Sequence, residues 1–309
     1  MTGESARERP TVVYVMGAGH SGSTILGVAL GNCSDFFYAG EVEEWLVKSG
    51  RPPWGEDERT RFWDAVADRV DGSDLFGDRA NRYVERSAAV LRVDRWVARV
   101  RLLGRYRRVA EDLLAAISQV AGARHVVDTS HFPLRARELK KLTGTDVFLV
   151  YLVRDAQGVV ASNLREISPH EVAERRLRIL RMNANLWLTQ LVSLIVFLRQ
   201  PRTRRVFLRH EEFLADPEGV LEQLLERIGS AAAVPDLSSL RIGTPIEGNR
   251  LIRSQRIALQ RSSSAGSKPD EPTRLTLLLE LPWRPLLSRL RPVVSARSPA
   301  EHGATVRRR

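Results

Sequence analysis

Residues Val12 to Leu26 read VVYVMGAGHSGSTIL, and no other stretch restricts the fold of this chain so tightly. The β-branched run Thr11 to Val15 predicts a buried strand. It breaks into Gly17-Ala18-Gly19-His20-Ser21-Gly22-Ser23-Thr24 and then into an apolar helical stretch from Ile25 to Leu30. A strand that feeds a glycine-rich loop and then a helix N-terminus makes an anion site. Backbone N–H groups turn inward there, and the helix dipole favours negative charge. The spacing matches the phosphate-binding loop G-x-x-x-x-G-K-[ST], except that Ser23 stands where the lysine belongs. That lysine reaches the β- and γ-phosphates of a triphosphate. A loop without it is expected to hold a smaller anion than the tail of ATP.

Four apolar runs read as parallel strands: Thr11–Met16, His125–Asp128, Asp146–Val153 and Arg205–Leu208. Helical patterns separate them, so the expected class is α/β, a P-loop NTPase-like, mostly parallel sheet flanked by helices. Asp57 to Val120 reads as helical, with Trp63, Val66 and Val70 and then Val90, Val93, Val97 and Val100 at helical spacing. This section lies between the first two predicted strands and is too long for a simple crossover. It is therefore read as a helical insertion after the first strand–helix unit. Its Arg99, Arg101, Arg105, Arg107 and Arg108 read as a solvated face, with contact to an anionic acceptor as the alternative. Further helices are expected over Pro133–Leu142, Gln157–Glu166, Glu171–Leu198 and from Asp216-Pro217 to Ile228, where Gly229 ends the pattern.

The chain has 309 residues, and the predicted domain covers residues 1–257 with the insertion at 57–120. Beyond Ile257 the periodicity fades into Arg, Ser and Pro, so residues 258–309 read as a basic, disordered or atypical tail, or as the product of a shifted reading frame. The section Arg261–Thr273 should be a loop or disordered. The net charge is +11, but residues 250–309 alone carry 13 Lys+Arg against 4 Asp+Glu. The remainder is nearly neutral, which argues against a nucleic-acid partner. Arginine outnumbers lysine 44 to 4, a skew that GC-rich coding explains as readily as function does. The single cysteine, Cys33, excludes an internal disulfide and reads as a small buried hydrophobe. The opening MTGESARERP lacks the apolar core of a signal peptide. The longest apolar run, Leu186 to Leu198, spans 13 residues and is interrupted by Thr189, Gln190 and Ser193. That is too short to cross a bilayer, so a cytoplasmic protein without a membrane span is expected.

Three other segments join the loop. Tyr38-Ala39-Gly40-Glu41 follows the first predicted helix, Val127-Asp128-Thr129-Ser130-His131 ends the second strand, and Leu152-Val153-Arg154-Asp155 ends the third, with Ser162 eight residues beyond Arg154. Together these resemble the sulfotransferases that use 3′-phosphoadenosine-5′-phosphosulfate (PAPS), most like the bacterial and tyrosylprotein-type branch, over roughly Val12 to Arg253. The resemblance implies that Gly19, His20, Ser21, Gly22, Ser23 and Thr24 hold the 5′-phosphosulfate. It places the 3′-phosphate on Arg154 and Ser162, with Arg253 as a further ligand in the segment Gly248-Asn249-Arg250 that closes over the nucleotide. It makes Glu41 the base that takes the proton of a hydroxyl acceptor, which could be a small molecule, a glycan or a peptide. Glu43 or Glu44 could also be the base, although neither follows a glycine as the family pattern requires. His210 stands in place of the family's usual tyrosine, in a segment read as mainly structural.

Two departures from the pattern concern the chemistry. His20 stands where relatives often have arginine, and His131 where they have lysine. An imidazole beside a dianionic phosphate is driven toward its charged form, so His20 and His131 could still stabilise the transferred group and the leaving phosphate. For His131 the alternative is a neighbour of a helix cap with no chemistry. The remaining histidines show no metal-ligand spacing, and no metal is expected. Two other functions share the loop. A P-loop small-molecule or nucleotide kinase would need a magnesium-binding acid, for which Asp128 is the candidate. A non-catalytic nucleotide-binding protein would need no base.

Overall fold

The predicted opening strand is the centre of the sheet. In the computed structural model, β1 (Thr11–Gly17) is paired on both sides in parallel, with β3 (His125–His131) on one edge and β4 (Asp146–Val153) on the other. The structure describes residues 9–51, 57–77, 80–164 and 172–259, together with Thr276, Glu280, Trp283, Pro285, Leu287, Arg289 and Leu290. Val12, Tyr14 and Met16 face one hydrophobic cluster and Val13 and Val15 face the other. A strand covered on both faces has no polar side to alternate with, which is why it reads as an unbroken apolar run.

The full sheet has five parallel strands in the order β2-β3-β1-β4-β5, where β2 is Phe36–Gly40 and β5 is Arg205–Arg209. The expected α/β class and parallel sheet are what the structure shows. One strand escaped the sequence reading: Tyr38-Ala39-Gly40 lies in the edge strand β2, not in a loop after the first helix. Its sequence FFYAG has three strand-favouring aromatics, but it is only five residues long and ends in Ala-Gly, so it gives no extended alternating run. The strand order reverses beside β1. Ligands collect there in open α/β sheets, outside the carboxyl ends of the strands.

Helices cover both faces. The helix α1 (Ser23–Gly31) follows the loop, and the short α2 (Glu44–Val47) follows β2. The predicted insertion therefore lies between the second and third strands, not the first and second. It is only partly helical: α3 (Glu58–Ala67), a series of tight turns through Arg95, and the long α4 (Trp96–Ala121). Its arginines do not form one solvated face. Arg99 is buried, and burial beside Arg137 lowers its pKa. Arg105 pairs with Asp71 and Asp74, and Arg107 bonds Glu138 at 2.6 Å. After β3 come α5 (Pro133–Leu139), then α6 (Ala156–Leu164) behind β4, and α7 (Val172–Leu198). The helices α8 (His210–Ala215) and α9 (Pro217–Ile228) follow β5, and α9 ends as predicted at Gly229, whose φ of 82° suits glycine. A small antiparallel pair, β6 (Leu240–Arg241) with β7 (Arg256–Ile257), ends the continuous part of the chain.

Within α7, Ile179–Leu198 is long and apolar enough to cross a membrane by length and composition, a longer stretch than the 13-residue run suggested. Its Leu186, Val192, Val196 and Phe197 are buried, the pattern of a helix packed on a sheet. The core also extends past the predicted boundary at residue 257. Trp283 and Leu287 are buried, and the Trp283 ring lies 4.6 Å from that of Trp187 on α7. The section Arg261–Thr273 lies outside the described residues.

One buried ion cluster joins the insertion to the sheet. Arg135 on α5, 1% exposed, donates to Asp128 at 3.0 and 3.1 Å, and to Glu85 and the Tyr106 hydroxyl at 2.9 Å each. Tyr106 donates to the same Glu85 at 2.5 Å. Removing one member of such a cluster leaves an uncompensated charge in the dry interior. The substitution Arg135→Met should therefore cost about 3–5 kcal/mol, read as a lower urea midpoint.

Candidate active site

The loop keeps its first-turn N–H groups open. Gly22 precedes α1 with φ 90°, no side chain caps the helix, and its first turn carries no acidic residue. The N-terminal N–H groups of a helix have no partner within it, so they are available to an anion. Two glycines are dictated by close approach. A Cβ on Gly17 would meet the Leu152 carbonyl oxygen at 2.2 Å, and one on Gly22 would meet His210 Nδ1 at 2.3 Å.

A cavity of about 1100 Å³ lies over this loop. Gly19, His20, Gly22, Ser23, Thr24, Glu41, His131, Arg154, Ser162 and Arg253 all line it, so the tertiary fold brings together nearly all the predicted site residues. Ser21 is the exception: it is 1% exposed and does not line the cavity. Arg154, just past the carboxyl end of β4, donates from Nη1 to the His20 carbonyl at 2.9 Å. Gly158 leaves room for its guanidinium, since a Cβ there would sit 2.8 Å from Nε. Ser162 Oγ lies 3.4 Å from His20 Nδ1. His20 thus bridges the loop and the Arg154–Ser162 pair, with its ring turned toward Ser162. Its φ of 61° and the 54° of His131 put both histidines in the left-handed region, a strain that recurs at functional sites.

The opposite wall is acidic. Gly40, with φ 81°, lets the Glu247 carbonyl close over it, and the Glu41 N–H donates to that carbonyl at 3.0 Å. Lys48 pairs with the Glu247 carboxylate. Glu41, Glu43 and His131 offer ligand atoms within 4.8 Å of one another. Such a set could also hold a cation, although the spacing in sequence suggested no metal. Burial, with Glu247 and Glu44 adding repulsion, raises the Glu41 carboxyl from 4.5 to about 7. Glu43 is buried and pushed well above the usual carboxylate range by desolvation and by Glu41, and its Oε2 has no hydrogen-bond partner. His131 moves the other way. Burial and the neighbouring His20 lower it to about 4, so the protein alone holds it neutral at pH 7. The charge expected there requires the field of a bound anion.

Asp128, the acid a kinase would need, is elsewhere. It is fully buried, accepts from the Ser130 N–H at 2.9 Å, and is bonded twice by Arg135. The Ser130 hydroxyl donates to Asp128 and accepts the Glu43 N–H at 3.2 Å, so this network forms the floor beneath the acidic wall.

Several lining residues carry no motif. Arg86, Ser87 and Ala88 come from the insertion, Phe132 follows β3, and Met182, Leu186 and Thr189 lie on α7. His210 also lines the cavity, where burial beside Arg154 lowers its pKa to about 4. The segment Gly248-Asn249-Arg250 lies against the loop, where the Asn249 N–H reaches Thr24 Oγ1 at 3.4 Å. No short pattern marks the other residues, because their neighbours lie far away in the chain.

A carboxyl whose pKa is raised on folding stabilises the protein below its ordinary value, and that contribution is lost as pH rises through its folded value. For Glu41 the window runs from 4.5 to about 7. Glu41→Gln should therefore raise the melting temperature at about pH 8 and leave it nearly unchanged at about pH 4, a difference that thermal scans at the two pH values would read.

Comparison with known proteins agrees with this geometry. A model of the sulfotransferase family matches residues 10–233. The sulfotransferase domain of the Synechococcus PCC 7002 olefin synthase superposes with a TM-score of 0.51 at 17% identity, over 91% of this chain and 97% of that one. The sulfotransferase domain from the curacin biosynthetic pathway gives 0.49 at 14% identity, over 88% and 97%. At 17% identity the likeness to the olefin synthase domain is one of fold. No curated protein matches the chain in sequence.

Proposed function

The chain belongs to the sulfotransferase family, and we propose that it moves a sulfuryl group from PAPS to a hydroxyl on a small molecule, glycan or peptide in the cytoplasm. One observation carries this reading. An uncapped helix N-terminus in a lysine-free loop, an arginine–serine pair and a glutamate raised to about 7 all face one cavity.

In this reading the N–H groups from Gly22 to Thr24 and the hydroxyls of Ser23 and Thr24 take the 5′-phosphosulfate. Arg154 and Ser162 take the 3′-phosphate, where a guanidinium fork matches two phosphate oxygens, and Arg253 adds charge at the rim. Glu41 accepts the acceptor's proton while the acceptor oxygen bonds to sulfur. The bond between sulfur and the bridging oxygen breaks, and its electron pair leaves with 3′-phosphoadenosine-5′-phosphate. Catalysis is then mainly positioning and charge stabilisation, as in phosphoryl transfer. His20 and His131 lie where the transferred group and the leaving phosphate would pass. A pKa near 7 suits a base that must be ionised at neutral pH yet still hold a proton. The burial of Asp128 under Arg135 counts against the kinase reading.

Turnover of PAPS in the absence of metal, with no transfer from ATP and Mg²⁺, is the expected result of a direct assay. Glu41→Gln should lower turnover by about 10²–10⁴ while binding of 3′-phosphoadenosine-5′-phosphate by calorimetry is retained; an active variant removes Glu41 as base. With Glu41 as base, kcat/KM should rise with pH through about 7. Arg154→Ala should weaken binding of the nucleotide product by about tenfold or more and leave affinity for adenosine 5′-phosphosulfate, which lacks the 3′-phosphate, nearly unchanged. Binding of the product without sulfation of any acceptor would favour the non-catalytic reading.

A further inference from the structure

The tight turn Ser87–Leu91 has two sides. Ser87 and Ala88 line the cavity, while Val90 and Leu91 point to solvent. The first turns of α4, a few residues further on, add exposed apolar side chains: Trp96, Val97 and Val100, spaced to share one helix face, are 60%, 64% and 66% exposed, and Leu91 is 67% exposed. Large apolar side chains gathered in this way are uncommon on a soluble surface and mark an interaction site.

The charge around the patch indicates the partner. Residues 82–101 hold six arginines and two acids. Of the acids, Glu85 is buried on Arg135 and Asp94 is ion-paired to Arg92 and Arg95. Arg82, Arg86, Arg92 and Arg101 are exposed at the surface. A tryptophan and aliphatic residues at one level, ringed by arginine, match the composition of segments that lie in the headgroup region of anionic membranes. An acidic protein groove would need the arginines but not four apolar side chains projecting together.

We propose that this face docks on an anionic lipid bilayer and opens the cavity toward it, so that the acceptor is an amphiphile whose hydroxyl enters from the lipid surface. The acceptor clause rests on the sulfotransferase reading; the docking does not. Ala88, Phe132, Met182 and Leu186 give the cavity an apolar lining that suits a hydrocarbon portion.

Flotation of the full chain with phosphatidylcholine vesicles, with and without phosphatidylglycerol, tests the docking. Binding is expected only with the anionic lipid and should weaken as salt rises. The double variant Trp96→Ser, Val100→Asp should lose at least about tenfold in vesicle binding while its melting temperature and its calorimetric affinity for 3′-phosphoadenosine-5′-phosphate stay unchanged. Three results would overturn the proposal: no anionic vesicle binding, equal binding by the variant, or a wild-type dimer in sedimentation that the variant loses. Flotation needs neither donor nor acceptor, so a failed sulfation assay leaves it standing. For the acceptor clause, a long-chain alcohol in anionic vesicles should be sulfated faster than the same alcohol in neutral ones, and equal rates would refute it.

Discussion

The site depends on the buried guanidinium of Arg135. It is the cation between Asp128, in the middle of β3, and Glu85, from the insertion, and it is buried. Buried ion clusters seldom add stability over a well-packed apolar substitute, but their geometry tolerates little displacement. Here that intolerance has a consequence for the cavity. Asp128 holds Ser130, Ser130 holds the backbone of Glu43, and Glu43 is two residues from the candidate base. Glu85 at the same time fixes the turn from which Arg86, Ser87 and Ala88 reach the cavity.

The cavity lining carries both signs of charge. The helix N-terminus, Arg154 and Arg253 supply positive groups, and Glu41, Glu43 and Glu44 a carboxyl cluster. An anionic donor is attracted to the positive groups. Burial and mutual repulsion raise the pKa values of Glu41 and Glu43, which lowers the electrostatic cost of bringing an anion near them. His20 lies beside Arg154 and Ser162 and His131 beside Glu41 and Glu43, both at positive φ, and burial with His20 lowers the His131 pKa to about 4.

Outside the cavity, the insertion combines two unlike surfaces. Its inner side carries Glu85 and Tyr106 into the ion cluster, and its outer side exposes Trp96, Val97 and Val100. The valines that read as helical from spacing are therefore split. Val66 and Val70 are buried, while Val90, Val97 and Val100 face solvent. Periodicity reports that a helix has an apolar face but not whether another element covers it.

Local structure was legible wherever neighbours in sequence determine it. The β1–loop–α1 unit, the parallel class, and the proline entry and glycine exit of α9 all follow from short-range sterics and hydrogen bonding. Glu41, His131, Arg154 and Ser162, which line the cavity, each sit in a short pattern beside a strand end or on the helix that follows. The edge strand β2 carries its aromatic signal over only five residues, and Trp283, Leu287 and Leu290 keep helical spacing inside a stretch rich in arginine and proline, so neither stood out from its surroundings. The sequence by itself determined that a glycine loop would present backbone N–H groups to an anion, because that geometry closes within about a dozen residues. Only the tertiary structure decided that Arg135 would bury Asp128, that Glu43 would crowd Glu41, and that His20 would join Arg154 to Ser162. Those contacts depend on the low dielectric and fixed distances that arise once distant segments exclude water together.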